Sequence, residues 1–249
     1  MMQPEGFVDP SNAGKTCKLR KSIYGLKQAS QSWNIHFDEV VKEFDFIKNE
    51  EEACVYKKES GSSFAFLIMY VDDILLIGND ISMLESVKTS LKNSFSVKDL
   101  GEAAYILGIK IYRDRSKRLI GLRQDTYINK VLKRLKIEEA KKGFLSMSHG
   151  IDLSKTQCPM TTDEQELMSK VLYASAIGSI MYAMISTCPD VSYALSVTSR
   201  YQSDPGESHW IAVKNILKYL RRTKDVFLVY GGEEELVGIS ALWMPRQGA

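Results

Sequence analysis

Apolar residues arrive along this chain in two rhythms. Trp33, Phe37, Val40, Val41 and Phe44 fall at i, i+4, i+7, i+8 and i+11, which predicts an amphipathic helix over residues 30–47. At residues 64–80, FAFLIMYVDDILLIGND, the rhythm changes to two continuous apolar runs, 64–70 and 74–77, broken at Val71, Asp72 and Asp73. Short runs rich in β-branched and aromatic residues read as buried strands, and the break between them reads as a hairpin. The connection lacks the Asn-Gly or Asp-Gly pair that marks a tight turn, so the hairpin rests on pattern alone.

The same reading extends in both directions. Residues 54–58 form a neighbouring strand, joined to 64–70 through KKESGSS. Asn79 or Asp80 caps a helix with the stripe Ile81, Leu84, Val87 and Leu91. Residues 105–111 read as one strand with Gly108 at a bulge or close backbone approach, followed by a charged turn at 113–118 and a strand at 119–122. Asp125 or Thr126 opens a helix with Tyr127, Val131 and Leu135 on one side and Lys130, Lys133, Arg134 and Lys136 around it. Residues 141–162 lack periodicity and read as a linker before helices at 163–185, 189–201 and 205–223. Pro189 and Pro205 suit first helical positions, with Asp204 as a cap and Glu207 completing a capping box. The last helix carries the stripe Trp210, Val213, Ile216, Leu217 and Leu220, and a strand follows at 226–230. Helices together with strands joined by hairpins predict an α+β fold.

Composition narrows the class. The 249 residues are 44% hydrophobic and 26% charged, ordinary for a soluble globular protein of one large or two small domains. A net charge of +2 leaves nucleic-acid affinity to local patches. The four cysteines, Cys17, Cys54, Cys158 and Cys188, form no C-x-x-C pair, which argues against a zinc ribbon or disulfide scaffold and fits a reducing compartment. No signal pattern opens the chain. The apolar stretch 172–185 is interrupted by Ser175, Gly178 and Ser179 and is too short to span a bilayer, so its small residues predict a closely packed helix. Intracellular, cytoplasmic and without a membrane is the expectation.

Two stretches carry chemistry. Asp72 and Asp73 stand side by side at the tip of an apolar hairpin, where they repel each other and lose hydration. A divalent cation with a preference for hard oxygen ligands, Mg²⁺ or Mn²⁺, relieves that cost. The bland alternative is a solvated turn. Residues 15–28, KTCKLRKSIYGLKQ, hold Lys15, Lys18, Arg20, Lys21 and Lys27, either a solvated face or a surface for phosphates. Gly14-Lys15-Thr16 is not a phosphate-binding loop, because Asp9 occupies the position where that motif needs glycine. His36 has no partner at metal spacing and takes no role.

Tyr70-Val71-Asp72-Asp73 between two apolar strands resembles the catalytic hairpin of reverse transcriptases. Leu19-Arg20-Lys21-Ser22-Ile23-Tyr24-Gly25-Leu26-Lys27-Gln28-Ala29, followed by Trp33, resembles the Ty1/copia class of retrotransposon reverse transcriptases, over about residues 2–237. The strings at 173–178, 199–202 and 217–223 resemble the region that joins polymerase to ribonuclease H in copia-type Pol polyproteins. The resemblance implies a polymerase palm with an antiparallel sheet packed by helices, a small thumb and a helical connection. It implies a partial palm at 1–112, a thumb-like hairpin and helix at 113–140, a linker at 141–162, a connection at 163–225, and a cut-short ribonuclease H start with a divergent tail at 226–249.

For the site, the resemblance implies Asp72 and Asp73 as catalytic metal ligands. It implies Gly25, Lys27, Gln28 and Tyr70 as nucleotide-binding, and Leu107 and Gly108 as primer support. Lys130, Lys133 and Arg134 would lie along template–primer phosphates. Gln31 stands where the family often has arginine. RNA or DNA template–primer, deoxynucleotides and the rest of a Pol polyprotein are the implied partners, in a virus-like particle for an intact member. The family's third aspartate precedes a Gln-Pro-Glu-Gly-Phe segment, here residues 3–7, and Asp9 has no strand before it. The expectation is therefore a reverse transcriptase remnant, truncated at both ends, without turnover or with a trace. An active enzyme and a non-catalytic nucleic-acid-binding fragment are the other readings.

Overall fold

The computed structural model describes residues 2–12, 14–20, 23, 25–147, 150–231 and 238–243; the side chains of Lys27 and of residues 238–243 lie outside the description. The elements in order are α1 (Lys27–Glu43), β1 (Ile47–Lys48), β2 (Val55–Ser60), β3 (Ser63–Tyr70), β4 (Asp73–Gly78), α2 (Ile81–Ser94) and β5 (Lys98–Glu102). Then come β6 (Tyr105–Ile106), β7 (Ile109–Asp114), β8 (Leu119–Arg123), α3 (Asp125–Arg134), α4 (Thr162–Ser169), α5 (Tyr173–Ser186), α6 (Ser192–Thr198), α7 (Glu207–Thr223), β9 (Leu228–Gly231) and β10 (Gly238–Trp243). They form two compact units, one up to Ala103 together with β10, the other from Ala104 through β9. Helices with antiparallel sheets make the class α+β.

In the first unit the strand order is β1-β2-β3-β4-β10-β5. Alternation along β3 and β4 buries Ala65, Leu67, Met69, Ile74 and Leu76 on one face. That face meets Phe37 and Val41 of α1 and Leu84, Val87 and Leu91 of α2 in a single core. Asp38 of α1 ties helix to sheet by accepting from the buried Tyr56 hydroxyl of β2 at 3.1 Å. Lys42 beside Asp38 holds that carboxyl below the usual range. The buried Lys88 ammonium reaches Glu85 at 2.8 Å and Asp99 at 3.5 Å. Burial works against its charge, but the two carboxylates outweigh it and raise its pKa.

Several expectations change here. α1 starts at Lys27 and stops at Glu43, because Asp45 at φ 62° turns the chain into β1. Lys58 donates to the Phe44 carbonyl at 2.9 Å and closes that helix end. Residues 59 and 60, expected within a loop, continue β2 beyond the expected end at residue 58, since Gly61 at φ 60° makes the turn with β3 short. Asp80 is the cap of α2, accepting from Ser82 and Met83, whereas Ile81 of the expected stripe is exposed. The expected tail residues 238–243 form β10, paired with β4 from Gly238↔Gly78 to Trp243↔Asp73.

The second unit has the sheet β6-β7-β8-β9 and a helical core from α3, α5, α6 and α7. Residues 105–111 are two strands instead of one. Leu107 at φ 51° and Gly108 at φ 80° form a tight turn, with Ile106 opposite Ile109. Positive φ at both central residues is the turn whose twist suits a two-residue hairpin. The expected 163–185 helix is broken into α4 and α5, bent by 45°. Among the described residues no single helix is long and apolar enough to cross a membrane. Ala176, Ser179 and Ala183 are buried in α5, but Ser175 and Gly178 are exposed.

Gly143 and Leu153, in the stretch expected as a linker, are tied to the helical part of this unit. Gly143 donates to the Lys218 carbonyl at 3.0 Å, and Tyr201 donates to the Leu153 carbonyl at 2.6 Å. α7 is capped at Gly206, not Asp204, and Pro205 precedes the helix. The His209 ring explains the shift. Its Nδ1 accepts from the Gly206 N–H at 2.8 Å, its Nε2 lies 3.1 Å from the Ser154 carbonyl, and it stacks on Tyr201 at 4.0 Å.

Candidate metal centre

β3 and β4 bring the acidic pair to the end of a hairpin whose base is fixed three ways. The Asn79 side chain accepts from Phe64 N and donates to the Ser62 carbonyl, both at 2.9 Å. Ser63 donates to Asp80 at 3.1 Å. A Cβ on Gly78 would stand 2.6 Å from the Phe64 carbonyl oxygen, so only glycine lets the strands close there.

The register leaves Val71 and Asp72 as a two-residue connection, with Tyr70 opposite Asp73. Val71 takes φ 55°. That region is costly for a β-branched residue, so the tip is strained and held by the strands below. No glycine marked this turn; counting residues between the apolar runs was the signal that could have found it.

Asp72 and Asp73 are half-buried, while Tyr70 and Val71 are exposed. Tyr70 and Asp73 alternate away from the core face that Met69 and Ile74 enter. Burial, and then the Asp72 charge, push the Asp73 carboxyl above the usual carboxylate value. Two hard-oxygen donors that resist sharing negative charge fit as part of a divalent-cation site. Among the described residues no group of three or more His, Cys, Asp or Glu side chains could hold a metal. The Asp9 carboxylate is occupied by Ser11 N at 2.9 Å, Ser11 Oγ at 2.6 Å and Asn12 at 2.7 Å.

The other candidates separate into groups. Gly25 at φ 93° and the exposed Gln28 sit at the start of α1, whose buried face shares the hairpin's core. Open space lies where a Gly25 Cβ would be, so the left-handed backbone, and no protein neighbour, calls for glycine there. The Lys27 side chain, and Lys21, Ser22 and Tyr24, lie outside the described residues. Leu107 and Gly108 belong to the second unit, where the Tyr182 hydroxyl donates to the Leu107 carbonyl. Lys130 and Lys133 are exposed on α3, but Arg134 donates to Ser179.

Residues 1–148 match the family model described as reverse transcriptase (RNA-dependent DNA polymerase). The chain belongs to this family. It is 44% identical over 95% of its length to the retrovirus-related Pol polyprotein from transposon TNT 1-94 of Nicotiana tabacum, covering 18% of that protein. It is 35% identical over 93% of its length to the corresponding polyprotein from transposon RE1 of Arabidopsis thaliana, covering 15%. A transposon Ty5-1 protein of Saccharomyces cerevisiae is 29% identical over 94% of the chain and is covered over 74% of its own length. The chain is thus a reverse transcriptase domain of the copia retrotransposon type, spanning less than a fifth of the tobacco and Arabidopsis polyproteins. No solved structure matches it.

Proposed function

We propose that this chain presents the metal-holding hairpin of an RNA-directed DNA polymerase, and that by itself it assembles only part of that site. The observation that carries this reading is the Asp72–Asp73 pair on a strained two-residue tip, with Asp73 held above the usual carboxylate value. Asp73 offers oxygens from a paired strand position and Asp72 from the turn. A bound Mg²⁺ or Mn²⁺ would lower the pKa of an attacking primer hydroxyl and offset charge on the leaving pyrophosphate. Tyr70, exposed across from Asp73, offers a ring to the incoming nucleotide.

By family resemblance, Gly25, Lys27 and Gln28 complete the nucleotide side, and Leu107 and Gly108 support the primer end. Template–primer phosphates fall to Lys130 and Lys133; Arg134 is already engaged with Ser179. On the same ground, residues 1–112 belong to the palm, 113–140 to the thumb, and 163–225 to the connection. Among the described residues no third carboxylate joins the pair, which leaves the site short of the family's set, so nucleotidyl transfer by this chain alone is absent or a trace.

Primer extension on an RNA template with Mg²⁺ or Mn²⁺ tests this. The expected result is no extension beyond that of an Asp72→Asn/Asp73→Asn variant, with activity returning when a segment carrying the third aspartate is supplied. Extension by the unaided chain that disappears in the double variant would overturn the incomplete-site reading.

A further inference from the structure

β4 and β5 belong to one sheet only through β10, a strand that follows the second unit in sequence. β10 meets β4 in an uninterrupted ladder, from Gly238↔Gly78 to Trp243↔Asp73. Its other edge meets β5 less evenly. Ser240 stands opposite Glu102 and Leu242 opposite Asp99, so two steps on β10 face three on β5. At that bulge Gly101 takes φ 78°, and its N–H donates to the Asp99 carboxylate at 2.9 Å, within β5 itself. Among the described residues β5 has no other strand beside it.

Both walls of this slot are held by other means. β4 is fixed by its ladder to β3 and by Ile74 and Leu76 in the core. β5 is fixed to α2, because Lys88 and Lys92 lie 3.5 Å and 3.3 Å from the Asp99 carboxylate. Phe95, where α2 gives way to β5, is buried in the same core as Ile74. Without β10 the two strand edges would therefore face each other about 9.5 Å apart, room for one strand. Unpaired N–H and C=O groups along both edges make such a gap an acceptor for an extended segment.

We propose that the β4–β5 gap is a strand-accepting site, and that residues 238–243 fill it as an exchangeable strand that closes the β4 edge beside Asp73. The occupant, Gly-Ile-Ser-Ala-Leu-Trp, carries no charge and no Asp, Glu or His. With it in place, the residues opposite Asp73 are Tyr70 on one side and Trp243 on the other, and neither brings a carboxylate. Directly opposed residues are the closest cross-strand neighbours, so this edge is where a paired segment could add a donor next to Asp73. On the incomplete-site reading above, such a segment has first to displace β10. The strand-accepting gap itself does not depend on that reading.

Amide hydrogen exchange of the full chain, read by mass spectrometry without divalent metal, tests the assignment. Ser240→Pro/Ala241→Pro removes a ladder donor on each side of β10. It is expected to speed exchange in β5 at least about tenfold and to leave β2 and β3 unchanged. A fluorescein-labelled peptide with the sequence of residues 238–243 is expected to restore that protection. By anisotropy it should bind the proline variant at least about tenfold more tightly than the wild-type chain, whose gap is already filled. The same peptide with the two prolines should not bind. Asp72→Asn/Asp73→Asn should leave both readouts unchanged, which separates this result from the fate of the metal site. Unchanged protection of β5 in the proline variant would overturn the proposal, as would a peptide that binds both chains equally. Loss of protection across β2 and β3 as well would make β10 an integral strand and overturn its exchange.

Discussion

Val71 is the residue where the hairpin stores strain. A β-branched side chain at φ 55° costs about 1–2 kcal/mol, and its exposed side chain returns little burial. Val71→Gly is therefore expected to stabilise the first unit by up to about 1 kcal/mol in denaturant unfolding. Asp73 carries a second cost, of electrostatic origin. Its folded pKa lies above the ordinary 3.8, so the folded state holds its proton more tightly than the unfolded chain does. Stability from this group is present below 3.8 and is lost as pH rises through the raised folded value. Asp73→Asn should accordingly raise Tm at neutral pH by about 1–2 °C, since solvent screens a half-exposed pair, with no gain in melts below pH 3.8. The aspartates and Tyr70 were legible in the sequence because polar residues interrupt an apolar run. The strained φ of Val71 was not, because the turn uses no glycine.

Among elements, long periodic stripes were readable, and short turns were not. Phe37 and Val41, and Leu84, Val87 and Leu91, are the buried positions that helical spacing picks out. Residues 105–111 misled because Tyr-Ile-Leu-Gly-Ile runs without a charge or a polar break, and its turn uses leucine at a position that favours asparagine. Leu107→Asn is thus expected to stabilise the second unit by about 0.5 kcal/mol or more in thermal or denaturant unfolding. The cap of α7 was unreadable for another reason, since His209 accepts from Gly206 only through tertiary placement against Ser154. At Gly206 a Cβ would stand 1.8 Å from the Gln157 carbonyl oxygen. Gly206→Ala is expected to cost about 3 kcal/mol or more, read as a lower denaturation midpoint.

At the scale of the molecule, each unit has its own core, and the second is continuous in sequence up to β9. A fragment of residues 104–231 is expected to fold alone, with helical circular dichroism and one cooperative melt; a broad, non-cooperative melt would contradict this. Its stability should fall in acid. Burial keeps the fully buried His209 below the ordinary imidazole value of 6.5, so the unfolded chain binds the proton more readily. Stability is full above 6.5 and declines as pH falls through the lower folded value. The α+β class and the family were legible in the amino-acid sequence, the class from its two apolar rhythms and the family from the Tyr70–Asp73 string and the residues around Gly25. The division at Ala103 was not, because no proline, glycine or charge run separates β5 from β6.

The most direct test of the acidic hairpin as a metal site is Mn²⁺ binding followed by paramagnetic broadening. Weak binding that broadens the resonances of Tyr70, Asp72 and Asp73, and that is lost in Asp72→Asn/Asp73→Asn, is the expected result. Binding that survives the double substitution, or a hairpin that Mn²⁺ leaves unbroadened, would contradict it.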